Sequence, residues 1–343
     1  DILAGIYTGS PEGRNIQMLY PIGWLISLFY RVARGVPWYG IFLCICHFGS
    51  IYLLTNRLLS FFSKTWTKAM AVMLEAAVLI SLLLSELVFT QYTVTSALLA
   101  ATAAFLFYTG ETDGSAKDFM KKNAAVFVLV ILAFQVRTEM LLLLFPLICV
   151  AGLCRWACEA RIFTKENAKK YFGVFGGILA GLVLSYGVNL AAYGSVEWRE
   201  FNHFFDERTD LYDFLWGFHL VYGENQEFYD SIGMTQASQN LIENYNFGFD
   251  EEIDAALLEK INADAGERKK EQTSFTDIMK QAVFDYKYRT FHETDFPWNF
   301  FVIVFYILVF IAAMGNGHFR FLWELPCMAA VRTGLWMFIL YRG

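Results

Sequence analysis

The stretch AFQVRTEMLLLLF, residues 133–145, places Arg137 and Glu139 between two apolar runs. Each run is long enough to be a helix and too apolar to face water, so the pair reads as two membrane helices joined by a tight turn. The rest of the chain has the same grammar. Hydrophobic residues make up 56% of it and charged residues only 17%, a membrane protein's profile. Spans of the length that a bilayer core requires are expected at 38–56, 68–88, 91–110, 139–158, 171–193, 298–316 and 322–341, with a shorter one at 123–136. The first residue, Asp1, follows no start methionine, and both ends read as cut from something longer.

Lys and Arg decide orientation, because they stay on the cytoplasmic side. Alternate connections differ sharply. One set holds twelve: Arg57, Lys64, Lys68, Lys117, Lys121, Lys122, Arg155, Arg161, Lys165, Lys169, Lys170 and Arg320. The short connections of the other set hold only Arg137. The second set, with residues 1–37 and 194–297, is therefore expected outside.

Several polar residues stand near that outer level. Arg137 is one, and its plain reading is a cation snorkelling to lipid headgroups. Glu86 ends the 68–88 span, and Glu75 lies eleven residues earlier, which at about 100° per residue puts both carboxylates on one stripe of the helix. Such a stripe should face the bundle interior or a wet cavity, with His47 or a backbone group as the expected partner of Glu75. Glu86, Gln91, Tyr92, Arg137 and Glu139 share one depth, so one outward-opening pocket is expected.

Residues 1–37 begin as a loop rich in Gly, Ser, Pro and polar residues. From Gln17 to Arg34 they turn amphipathic and aromatic, predicting one or two surface-lying helices interrupted at Pro21, with Tyr20, Trp24, Phe29 and Tyr30 at headgroup level. Residues 194–297 hold 22 acidic and 9 basic residues. Helical signals there include the capping box Ser274-x-x-Asp277, the periodic run from Phe275 to Tyr286, and a helix at 254–263 ended by Gly266. A small helical soluble unit is expected, and a lid over the membrane cavity is its plainest role. The six cysteines lie within or at the ends of apolar spans, where packing is their usual part. No phosphate loop, zinc spacing or nucleophile elbow appears, and a net charge of −6 argues against nucleic acid.

An acidic residue opening an outward loop, surface-lying helices, six spans at 38–56, 68–88, 91–110, 123–136, 139–158 and 171–193, and then a large outward segment resemble the conserved module of the GT-C glycosyltransferases. The likeness is architectural and covers roughly residues 1–300. The stretch TGSPEGRNIQMLYPIGWLISLFYRVARGVPWYG also looks like that of bacterial membrane proteins with this layout. What the resemblance implies is an all-α, polytopic transmembrane helix bundle in a bacterial plasma membrane. Its parts would be an outer loop with interfacial helices (1–37), six spans (38–193), an extracytoplasmic helical domain (194–297) and C-terminal spans (298–343).

The activity that the resemblance implies is inverting transfer of a sugar from a polyprenyl-phosphate or diphosphate donor to an acceptor glycan, lipid or protein. The partners would be that donor, the acceptor and membrane lipids. Asp1 corresponds to the essential aspartate and would be the general base. Arg137, with Arg14 next, would neutralise the departing phosphate. Glu139 would orient Arg137, and Glu86, Gln91 and Tyr92 would hold substrate. Cofactor need is open, with a divalent cation, Mg2+ or Mn2+, as the candidate. Many members show two adjacent acidic residues in this loop, and here only Asp1 is visible, so a base upstream of Asp1 is the competing assignment. Two other functions remain alongside: a polymerase or ligase of surface polysaccharide, and a transporter or flippase of lipid-linked sugar without chemistry. The second would show internally repeated halves and broken helices at mid-membrane.

Overall fold

A computed structural model describes residues 2–159 and 162–342, the Arg342 side chain apart. Asp1 and Arg161 lie outside the described residues. Those described are helical or looped, without a strand. They divide into two units, one comprising residues up to Ala192 with Phe296–Thr333, the other Tyr193–Asp295 with the residues from Gly334 on.

In the first unit the helices in chain order are α1 (Tyr20–Val32), α2 (Trp38–Leu59), α3 (Thr65–Val88), α4 (Tyr92–Thr109), α5 (Ala116–Lys122), α6 (Ala124–Val136), α7 (Thr138–Ala157) and α8 (Lys165–Ala192). Of these, α2, α3, α4, α7 and α8 are long and apolar enough to cross a membrane, as is α14 (Trp298–Gly315). Helices α5 and α6 pass that test together as a pair bent by 55°. The spans expected from sequence thus form helices within a few residues of their expected bounds. The exception is α15 (Phe321–Arg342), which forms as a helix yet is not apolar enough to be counted with the six. Glu324 and Arg332 lie within it, each costly in hydrocarbon. Glu324 is buried, accepting hydrogen bonds from the Tyr108 hydroxyl at 2.6 Å and the Cys158 thiol at 3.1 Å.

The core is built on small residues. Helix α4 packs most closely on α6, and also on α2 and α7, with Ala100, Ala103 and Ala133 fully buried between Leu99, Val136 and Leu141. Alanine at these points lets two backbones approach and bury the branched side chains around them. Gly177 and Gly181 do the same where α8 meets α6: a Cβ on either would fall 2.6 Å from Phe127 Cε1 or from Ile131 Cδ1 respectively.

At one end of the bundle, basic side chains cap helix carbonyls, a favourable match to the negative end of the helix dipole. Arg57 bonds to Thr109 and its carbonyl, Arg155 Nη2 donates to the Gly110 carbonyl at 3.1 Å, and Lys170 Nζ donates to the Thr112 carbonyl at 2.8 Å.

Pro21 does not interrupt the N-terminal helix. It occupies the first turn of α1, where the missing N–H costs nothing and the fixed φ suits the helix. One helix results, burying Ile22, Gly23, Ile26, Ser27 and Tyr30 and exposing Trp24, Leu25 and Phe29. Tyr30 therefore belongs to the core, and its hydroxyl accepts the Tyr39 N–H at 3.1 Å.

The second unit contains α9 (Val196–Thr209), continued by a π-turn at Asp210–Leu215, then α10 (Gln226–Ser231), α11 (Gln236–Glu243), α12 (Ala255–Gln272) and α13 (Phe275–Phe291). Its core gathers Leu211, Tyr229, Ile242, Leu258 and Ile261. Four of its helices start at a side-chain cap, from Ser195, Thr235, Asp254 and Ser274, whereas α2, α3, α4, α6 and α7 have none. Gly266 does not end α12 but lies inside it, a position glycine tolerates at about 1 kcal/mol relative to alanine. At Ser274 the N-cap half of the expected capping box forms, with Asp277 N–H donating to Ser274 Oγ at 3.2 Å, while the Asp277 carboxylate accepts the Ser274 hydroxyl at 2.7 Å rather than its backbone N–H.

Candidate functional site

The end of the bundle opposite the basic one brings together the C-terminus of α6, the N-termini of α4 and α7, the C-terminus of α8 and the N-terminal loop. Arg137 is the junction residue between α6 and α7, with extended backbone at φ −156° and ψ 99°. That break follows from the sequence, since the run after Arg137 starts a new helix whose first turn carries Glu139, a favourable charge at a helix N-terminus. The junction is pinned from α4: Ser96 Oγ, fully buried, donates to the Ala133 carbonyl at 2.8 Å, with the Arg137 carbonyl at 3.2 Å.

The Arg137 side chain has three partners. Nε pairs with Glu139 Oε2 at 3.1 Å, Nη1 donates to Gln17 Oε1 at 2.5 Å, and the guanidinium stands 5.4 Å from the centre of the Tyr92 ring. Its Nη2 makes no hydrogen bond among the described residues. Glu139 is 71% exposed and Arg137 29% exposed, so this is a half-open cation held in a fixed direction. Such a group can accept an anionic oxygen without first reorganising.

The loop before α1 is tied to the same end. Leu19 N–H donates to the Gln135 carbonyl and Tyr20 N–H to Asn189 Oδ1, both at 2.8 Å, while Gln135 Nε2 donates to Ser185 Oγ at 2.9 Å. Arg14 is held there as well, its Nε donating to the Ala192 carbonyl at 3.0 Å and its Nη1 pairing with Glu12 at 3.3 Å.

Of the residues singled out from sequence, three meet. Tyr92, Arg137 and Glu139 form one cluster. Arg14 lies beside the end of α8 with Glu12, and among the described residues no hydrogen bond joins it to Arg137. Glu86 is partly buried and lies within electrostatic range of His47, and Gln91 is exposed, its carbonyl accepting the Thr95 hydroxyl at 2.8 Å. Asp1 lies outside the described residues. Glu75 pairs with neither His47 nor a backbone group: Thr55 Oγ1 donates to it at 2.8 Å, and His47 Nε2 meets Thr95 Oγ1 at 2.7 Å instead. Glu75 thus addresses α2, and a π-turn at Leu79–Leu83 between it and Glu86 breaks the regular 100° phase expected to put both on one stripe.

Gln17 and Glu12 were not foreseen. Gln17 reaches Arg137 across 120 positions, a distance no local pattern reports. Glu12 had a weak signal in its spacing from Arg14. For a divalent cation the donor set is poor: no three His, Cys, Asp or Glu side chains converge among the described residues, and Glu12 and Glu139 are each engaged by an arginine.

In the second unit, Asp206 is the group whose environment is most unfavourable to charge among its carboxylates. Burial, then Asp210 and Glu207, push its carboxyl above the usual range, with His203 opposing.

No protein-family model, curated protein or solved structure matches this chain.

Proposed function

We propose that the protein is a membrane glycosyltransferase that moves a sugar from a polyprenyl-phosphate or diphosphate donor to an acceptor, with inversion at the anomeric carbon. The observation that carries the reading is the Arg137 guanidinium, oriented by Glu139, Gln17 and Tyr92 and left with a free N–H edge. In the reaction, the acceptor oxygen attacks the anomeric carbon as Asp1 takes the hydroxyl proton. The carbon–oxygen bond to the carrier breaks, and its electron pair leaves on the phosphate oxygen, where Arg137 meets the charge. Glu139 and Gln17 hold the guanidinium in register. In this reading the basic end of the bundle is cytoplasmic and the Arg137 end faces outward, in a bacterial plasma membrane.

A carrier-moving protein without chemistry is the second reading, favoured by the π-turn that interrupts α3 inside its span. One experiment separates the two. Purified protein in proteoliposomes receives radiolabelled polyprenyl-phosphate sugar and a mixture of acceptors, with Asp1→Asn and Arg137→Ala as comparisons. Transfer by the parent, and its loss in both variants, supports the enzyme. Movement of label between leaflets with no sugar released supports the transporter, and full transfer by Asp1→Asn places the base elsewhere.

A further inference from the structure

Helices α7 and α8 are consecutive, yet their backbones stay apart. Rings bridge the gap: Phe145 and Phe175 at 6.4 Å, Trp156 stacked on Tyr171 at 5.3 Å, and Trp156 edge-on to Phe172 at 5.6 Å. The cause lies on the other face of α8, where Gly177 and Gly181 let it close on α6 rather than on α7. Between α7 and α8 remains a cavity of about 310 Å³, floored by Ala104 and Val130 and walled by Phe145, Cys149, Phe172 and Phe175. Phe172 and Phe175 are exposed on its rim, so it opens sideways from the bundle.

We infer that this cavity is a binding site for one acyl chain of an anionic phospholipid. Three observations select that occupant. First, the helices that form it are apolar enough to cross a membrane, so its mouth opens onto hydrocarbon and water has no partner inside. Second, from Phe145 to Trp156 the groove follows eleven residues of α7, about 16 Å at 1.5 Å per residue, which is half of a hydrocarbon core about 30 Å thick. That is the depth of one leaflet, suited to a phospholipid chain.

Third, the polar end carries the right charge. Helix α8 has 28 residues, about 42 Å of helix, so its first turns extend beyond the hydrocarbon. Lys165, Lys169 and Phe172 follow one another at i, i+4 and i+7 on one face, which sets two exposed lysines directly beyond a wall of the cavity. Neither lysine has an ion-pair or hydrogen-bond partner among the described residues. A phosphodiester whose chain fills the groove would lie against them, attracted as anionic headgroups are to basic groups at a membrane surface. The Trp156 and Tyr171 pair closes this end at headgroup level, the depth such rings prefer.

The test is native mass spectrometry of the full chain in mild detergent, incubated with equimolar phosphatidylglycerol and phosphatidylcholine. The parent should retain one phosphatidylglycerol in preference. Lys165→Ala with Lys169→Ala, exposed changes that leave the packing intact, should abolish the preference while a weaker, headgroup-blind adduct persists. Gly152→Phe, which builds a ring into the cavity wall, should lose the adduct altogether, and Cys149→Phe serves as an independent filling variant. Equal retention of the two lipids by the parent, an unchanged preference in the lysine variant, or an undiminished adduct in both filled variants would overturn the site. Displacement of the bound lipid by equimolar polyprenyl phosphate would also overturn it, assigning the groove to a carrier chain instead.

Discussion

Gly23→Ala is a small change at the tightest contact between the N-terminal loop and α1. A Cβ there would fall 2.2 Å from the Gly13 carbonyl oxygen and 2.7 Å from Asn15 Nδ2, and the approach is reciprocal, since a Cβ on Gly13 would meet Trp24 Cα at 2.6 Å. Both partners are backbone at the closest points, so no rotamer change relieves the clash. The loop must lift from the helix by about an ångström, and overpacking of that kind costs about 1–3 kcal/mol. The loop carries Asn15, whose Oδ1 accepts the Met18 N–H at 2.8 Å, and Gln17, which holds Arg137. The strain should therefore appear as easier local opening at Met18 and Leu19. At 1.4 kcal/mol per tenfold, amide hydrogen exchange there should run roughly 5- to 150-fold faster than in the parent. Gly40→Ala is the control, because nothing lies within 4 Å of the added methyl. Exchange at Met18 and Leu19 within twofold of the parent in Gly23→Ala would refute the packing described here.

Two further outcomes are expected. Ser96→Ala removes the buried hydroxyl that ties α4 to the end of α6, and denaturant unfolding in micelles should show a loss of about 0.5–1.5 kcal/mol, whereas Ser81→Ala, on an exposed turn of α3, should show none. Asp206→Asn should raise the melting temperature of the second unit at neutral pH. The folded-state value of that carboxyl is raised, so its folded form binds the proton more tightly than the unfolded one, and stability is lost as pH rises from the unfolded value through the folded one. The gain from Asn should therefore vanish below about pH 4, where both states are protonated; a gain that persists there would be a packing effect.

Helix positions were legible because a bilayer demands long apolar runs, and Gly110 after α4, Arg137 between α6 and α7 and Gly315 at the end of α14 mark boundaries. Orientation-independent details were harder. Pro21 reads as a breaker in isolation, and only the preceding loop shows it to be a first-turn residue. Gly266 reads as a stop, but beyond it α12 is anchored by Arg268 and Lys269, which donate to the Phe218 and Phe214 carbonyls. The side-chain cluster at Arg137 was half legible. Glu139 and Tyr92 follow from depth along neighbouring helices, while Gln17 is delivered by a loop whose path depends on the Gly13 and Gly23 contact. Depth likewise grouped Glu86 with Arg137, although among the described residues no hydrogen bond or ion pair joins the two. Sequence reports height along a helix well and azimuth poorly.

Binding of polyprenyl phosphate, without a sugar, is the most direct test of the Arg137 junction as a headgroup site. Titrated into the protein in nanodiscs, it should bind the parent saturably, and Arg137→Gln should weaken it about tenfold to a hundredfold, the value of a charge-assisted hydrogen bond of roughly 1.5–3 kcal/mol. Arg137→Gln binding with the parent's affinity would contradict the account.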